Sequence, residues 1–365
     1  MAGSTTLSWK GGGGRLPWNA SPTSPALAGD FDFLFLRSPK SPDFGPTSGD
    51  IDSQPKLRRN MMIRKSLFLT LLLSLLMTAC SSLSAPSGNL TFTDSLGREV
   101  KLDKPAQRIV SLAPSNTEIL FAIGAGPQVV GRDELSDYPE EAKSLPSVGG
   151  SMGDFNTEAI VALTPDLVLA SELNPRELVS SLEALGLTVY YLGNPKTLEE
   201  LYTNLDTVAR LTGHEKEAAD LVKSLKSRVA AVDQKIAGVT EKPLVFYELD
   251  GTDPTKPWTS GPGTFIDLLI ARAGGMNAGA KLESEWAQIS SEQLVAANPE
   301  IIVLGDAVYG VTPESVKARP GWDVLEAVKT DQIFTFDDNL VSRPGPRLVD
   351  AFEQLAMLLH PEAFK

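Results

Sequence analysis

The chain holds one cysteine and two histidines in 365 residues. With Cys80 alone, no disulfide can close within the chain. A zinc or manganese site needs clustered His with acid ligands, and His214 and His360 stand far apart in the chain, so such a resident site is not expected. Neither histidine lies near a nucleophile motif, which argues against hydrolase chemistry, and the sequence is read as that of a non-enzyme. Gly11 to Gly14 lacks the Lys-Ser/Thr of a phosphate loop. Positive charge is scarce as well: 33 Lys and Arg stand against 46 Asp and Glu, for a net charge of −13. After residue 80 the counts are 24 against 41. Nucleic-acid binding rests on phosphate neutralisation, so it is excluded as a function class. The acidic body suits a soluble domain whose partners offer basic patches. The apolar run Leu67 to Met77 has 11 residues, too few to cross a bilayer core of roughly 30 Å.

What surrounds that run is informative. Arg64-Lys65 precedes it and Met77-Thr78-Ala79-Cys80 follows it, so residues 61–80 read as a secretion signal. The placement of Cys80 resembles the bacterial lipobox, which implies that Cys80 is the lipidated first residue of the mature protein. Residues 81–89, rich in serine, read as a flexible tether. Residues 1–60 have the composition of disorder. They are expected to be a disordered extension, or to precede a start at Met61 or Met62.

One pattern occurs twice. Asn156-Thr157-Glu158 opens a short apolar run that ends at Pro165 and continues as Leu167-Val168-Leu169. Ser290-Ser291-Glu292 opens another, which ends at Pro299 and continues as Ile301-Ile302-Val303. Small polar residues before a Glu mark a helix N-terminus, where side-chain oxygens take free N–H groups and a carboxylate meets the positive end of the dipole. The proline disfavours helical geometry at the residue before it. The β-branched run that follows suits a strand buried on both faces. The two glutamates are 134 positions apart, a domain-sized interval rather than a solenoid repeat.

Taken in order, the body predicts an α/β fold: two Rossmann-like lobes with mostly parallel sheets, joined by one long bridging helix. The expected boundaries are 90–213 for the first lobe, 214–238 for the bridge and 239–365 for the second lobe. A hairpin turning at Gly97 opens the first lobe. Strand 108–112 follows, then a helix over 117–123 started by a Ser115/Glu118 capping box. In the bridge, Ala218, Val222, Leu225, Val229, Val232 and Ile236 recur at steps of three and four, and Gly238 is expected to end the helix. In the second lobe, 250–263 and 305–313 read as loops, 323–328 as a helix and 348–359 as the last helix.

Beside this arrangement stand the stretches 108–118 (Arg-Ile-Val-Ser-Leu-Ala-Pro-Ser-Asn-Thr-Glu), Ser136-Asp137-Tyr138-Pro139, Ala162-Leu163-Thr164-Pro165-Asp166-Leu167-Val168, Trp258-Thr259-Ser260-Gly261 and the repeat at Glu292. Together they resemble the periplasmic binding proteins with a helical backbone, most of all their cobalamin receptors, with ferric-siderophore and haem receptors next. The resemblance implies an extracytoplasmic, lipid-anchored, monomeric receptor without a cofactor. Such a receptor holds a corrinoid or ferric chelate between its lobes and hands it to an ABC permease driven by an ATPase. It implies that Glu158 and Glu292 dock on the permease, and that Trp258 and Trp286 offer aromatic faces to the ligand. Met152, Ser171 and Leu135 stand where cobalamin receptors carry further aromatics. Tyr309, Asp338 and Arg343 are expected as polar contacts at the cleft, and Trp322 as a core residue.

Overall fold

The structure, a computed structural model, describes residues 90–150 and 154–365. The secretion signal, Cys80, the tether and Met152 lie outside the described residues. Two segments, β1 (Leu90–Thr93) and β2 (Glu99–Leu102), form an antiparallel hairpin. Gly97 takes a positive φ of 77° at its turn, a conformation open to glycine because it has no Cβ. The first lobe is then a four-stranded parallel sheet in the order β4-β3-β5-β6. Its strands are β3 (Ile109–Ser111), β4 (Val129–Arg132), β5 (Leu167–Ser171) and β6 (Val189–Leu192). Helices α1 (Pro114–Ala122), α2 (Thr157–Ala162), α3 (Arg176–Ala184) and α4 (Leu198–Thr212) pack on it.

The bridging helix α5 spans Glu215–Ile236. Its 22 residues reach about 33 Å. Ala218, Leu225, Val229 and Val232 are buried, while Val222 and Ile236 are partly buried against the same core. That core takes in Leu205 and Val208 from α4 and, from the second lobe, Ile266 and Phe352. One apolar layer therefore runs under the helix from lobe to lobe. Each buried Leu or Val in it contributes about 1.5–3 kcal/mol. Two further clusters, one per lobe, fill the outer faces of the sheets, the second around Phe246 and Trp322.

The second lobe has strands β7 (Leu244–Asp250), β8 (Trp258–Ser260), β9 (Met276–Asn277), β10 (Trp286–Gln288), β11 (Ile301–Leu304) and β12 (Ile333–Thr335). Their order is β10-β8-β7-β11-β12, with β9 beside β7. Helices α6 (Phe265–Arg272), α7 (Ser291–Ala297), α8 (Pro313–Lys317), α9 (Glu326–Lys329) and α10 (Leu348–Leu359) complete it.

The α/β class, the two lobes and the bridging helix stand as the sequence predicts; several local readings do not. Helix α1 begins at Pro114, with Ala113 as a cap that makes no side-chain bond. The capping box gives way because proline is itself suited to the first helical position, and Glu118 is used elsewhere. Gly238 does not take a left-handed conformation, and α5 ends before it. Trp258–Ser260, inside the expected loop 250–263, is a strand, paired antiparallel with Trp286–Gln288. They are too short for alternation to show. Pro313–Lys317 forms a helix capped by Thr312, and the helix expected over 323–328 shrinks to Glu326–Lys329.

The hairpin is fastened to the first lobe by Asp94, which is 5% exposed. Its carboxylate accepts from the N–H groups of Leu96, Arg98 and Tyr191 and pairs with the Arg98 guanidinium. Asp94→Ala leaves these N–H donors without that acceptor and the Arg98 guanidinium with Glu183 as its remaining carboxylate, and about 3 kcal/mol of stability is expected to go. A lower urea midpoint, with Asp94→Asn falling between the two, is the measurement that checks this.

Candidate ligand-binding site

Three contacts show where the lobes face each other: two join segments that follow the carboxyl ends of strands in both lobes, and the third joins such a segment to the turn before β10. Glu118, on α1 after β3, accepts from Arg347 just ahead of α10: Nε to Oε2 at 2.8 Å and the terminal nitrogen to Oε1 at 2.5 Å. Arg343, after β12, pairs with Asp137, after β4, and stands 3.7 Å from Glu118 Oε1. Lys196, after β6, lies 3.5 Å from Glu285, which precedes β10. The space between is where ligands bind in open α/β sheets.

The first of these contacts is buried. The side chain of Glu118 is 2% exposed and that of Arg347 14%. Burial pushes the Glu118 carboxyl above its ordinary value, against the pull of Arg347 and Arg343. Burial acts on Asp137 too, but there the Arg343 guanidinium outweighs it and holds the carboxyl low. Arg347 also lies over the Tyr138 ring, 4.0 Å from its centre. A cavity of about 180 Å³ sits beside them, bounded by Glu118, Tyr138, Leu225, Arg228 and Asp350.

The second lobe supplies an aromatic surface. In the β8–β10 ladder Trp258 pairs with Gln288 and Trp286 with Ser260. The two tryptophans are thus diagonal neighbours on one face of the ribbon, about 7–8 Å apart, within reach of one flat molecule. They are 42% and 44% exposed, and Phe265 supports Trp286 from 5.8 Å between ring centres. Gly261 lets the ribbon close: a Cβ there would run into the carbonyl oxygen of Ser284.

Asp338 lies after β12 and accepts from the Tyr247 hydroxyl at 2.9 Å and from Ser342. Gly305 makes room for this pair, since a Cβ would stand 2.9 Å from Asp338 Oδ1. Burial raises the Asp338 carboxyl to about 6, with Asp337 and Asp306 adding to the rise and Tyr247 opposing it. Tyr309 is 86% exposed after β11. Ser171 ends β5 in a buried turn where its hydroxyl accepts from the Leu173 N–H. Leu173, 67% exposed, presents the surface at that point, as Leu135 does after β4. Trp322 is 1% exposed and packs in the core. Among the described residues, no group of three or more His, Cys, Asp or Glu could hold a metal ion.

Glu158 and Glu292 occupy matching places: each is the second residue of a short helix, after an Asn156 or Ser290 cap, and each is exposed. The Glu292 carboxyl is held below its ordinary value by its own N–H and the Ser290 hydroxyl, with Lys256 adding. The residues before the two prolines, Thr164 and Asn298, both take positive φ, 45° and 51°.

The inter-lobe ion pairs and Leu173 were not singled out as site features from sequence. Glu118 carried a signal: it is the one charged residue in the otherwise apolar or small polar stretch Ser115–Ala122, and a buried carboxylate needs a cation.

Residues 109–340 match the family described as periplasmic binding protein. An uncharacterized ABC transporter substrate-binding lipoprotein of Bacillus subtilis is 35% identical over 281 residues, 76% of this chain and 87% of its own length. The vitamin B12-binding protein of Photorhabdus laumondii is 32% identical over 69% of this chain and 88% of its length. The periplasmic heme-binding protein of Roseiflexus, solved in apo form, superposes with a TM-score of 0.63 at 30% identity, over 71% of this chain and 99% of its own.

A carboxyl raised in the folded state stabilises fully below its unfolded value, near 3.8 for Asp338. That contribution is lost as pH rises through about 6. Asp338→Asn keeps an acceptor for Tyr247 and removes the charge. The stability difference between variant and parent is therefore expected to grow from pH 4 to pH 7, reaching about 2 kcal/mol in favour of the variant. Urea titrations of both proteins across that range measure it.

Proposed function

This chain belongs to the periplasmic binding protein family, whose members bind substrates for ABC transporters and are not enzymes, and on that premise we propose that its ligand is cobalamin or a related corrinoid. The observation that carries the reading is the diagonal pair Trp258 and Trp286 on the ribbon whose Glu285 reaches the opposite lobe. Two half-exposed indoles offer a broad apolar face to a flat macrocycle. Leu135 and Leu173 offer apolar surface from the first lobe. Arg343 supports the same choice, because Asp137 and Glu118 already neutralise it. An anionic chelate would have to compete with those carboxylates for it. Tyr309 and Asp338 are the polar contacts of this reading and Met152 belongs to its lining, while Ser171, expected there, is buried and Leu173 takes its place. A ferric-siderophore or haem receptor is the second reading, favoured by the superposition on the Roseiflexus heme-binding protein.

In this reading the protein works outside the cytoplasmic membrane, anchored through a lipid on Cys80, as a monomer. Glu158 and Glu292, each exposed at the same helical position on its lobe, meet basic residues of the permease, whose ATPase drives uptake.

Titration of the protein with cyanocobalamin, a ferric siderophore and haem, followed by Trp emission and calorimetric heat, decides among the ligands. One-to-one cobalamin binding is expected, weakened at least tenfold by Trp258→Ala with Trp286→Ala, since each lost aromatic contact is worth about 0.5–1.5 kcal/mol beyond its buried area. Binding of an iron chelate alone would move the protein to the second reading. For docking, Glu158→Arg with Glu292→Arg is expected to abolish ligand-dependent stimulation of the permease ATPase while ligand affinity stays unchanged.

A further inference from the structure

The ion pairs that join the lobes sit at opposite edges of both sheets. In the first lobe, β4 and β6 are the two edge strands; in the second they are β12 and β10. Asp137 follows β4 and Arg343 follows β12, so that pair closes one edge, with Glu118 and Arg347 behind it. Lys196 follows β6 and Glu285 precedes β10, so their pair closes the other.

The two closures differ in kind. At the β4/β12 edge a bidentate pair has a carboxylate only 2% exposed and is backed by a cation over the Tyr138 ring. Separating it would strand a buried charge. Arg347 and Asp350 sit at the start of α10, and Asp350 and Glu353 bind Arg228 of the bridging helix, so this edge is tied to the bridge as well. At the β6/β10 edge a single pair, with side chains 66% and 55% exposed, stands in solvent. Such a pair holds weakly and is screened by salt. The tryptophans lie in β8 and β10, at this weaker edge.

We propose that the cleft opens at one edge only: Lys196 and Glu285 form an exchangeable ionic gate through which the ligand passes to and from the tryptophans, while the edge held by Glu118, Arg347, Arg343 and Asp137 stays shut. The identity of the passing ligand rests on the function proposed above; the asymmetry of opening does not. The long helix α5 supplies no loop hinge, so the lobes turn about the closed edge and part at the gate.

The test measures distances between paired spin labels in the full chain without ligand, in a Cys80→Ser background that leaves no other thiol. One pair, Glu199→Cys with Glu283→Cys, flanks the gate; the other, Glu140→Cys with Asp337→Cys, flanks the closed edge. High salt, or Glu285→Gln, is expected to lengthen and broaden the first distribution and leave the second unchanged. The double exchange Lys196→Glu with Glu285→Lys is expected to restore the narrow distribution at low salt. Equal change at both edges, change at the closed edge alone, or no change at either overturns the proposal. With cyanocobalamin as probe, Glu285→Gln is expected to speed both association and dissociation by up to about fivefold, the size set by an exposed pair. If cyanocobalamin does not bind, the corrinoid reading falls while the label distances still decide the gate.

Discussion

The buried pair between Glu118 and Arg347 is the constraint on which the arrangement of the two lobes depends. A carboxylate 2% exposed beside a guanidinium 14% exposed is weak evidence of net stabilisation, because both groups gave up hydration to meet. Its consequence lies in what it forbids. Moving the lobes apart at that edge would leave each charge in a poor dielectric with nothing to answer it. The pair therefore selects one relative position of the lobes, and Arg343, Arg228 and the start of α10 are built around it.

The rest of the cleft follows from sheet topology. Parallel strands deliver their carboxyl ends to one side, and the segments beyond them carry the Glu118, Arg347, Asp137, Arg343 and Lys196 contacts, while Glu285 reaches across from the turn before β10. The second lobe departs from the parallel plan where β8 and β10 turn back as an antiparallel ribbon. That departure puts two tryptophans on one face, which a parallel strand buried under helices would not have done.

Much of this was legible in the chain. The repeated pattern at Glu158 and Glu292 foretold two similar lobes, and Thr164 and Asn298 show why a proline follows each helix: the residue before it leaves the helical region for a left-handed turn. The stripe from Ala218 to Val232 foretold the bridge, because a period of three and four is a local property of a helix that must bury one face. Glu118 was misread as a cap, since the small polar residue three positions earlier makes the same local pattern as a true capping box.

What the sequence alone determined is the longer elements and their apolar faces, including Leu348–Leu359 to the residue, because periodicity, helix stops and charge are written within a few neighbouring positions. What only the tertiary structure decided is which charges meet. Glu118 and Arg347 are separated by 229 positions, and Lys196 and Glu285 by 89. No local spacing relates such pairs; the order of strands in two sheets brings them to the same edge, and burial then makes one pair a bolt and leaves the other in water.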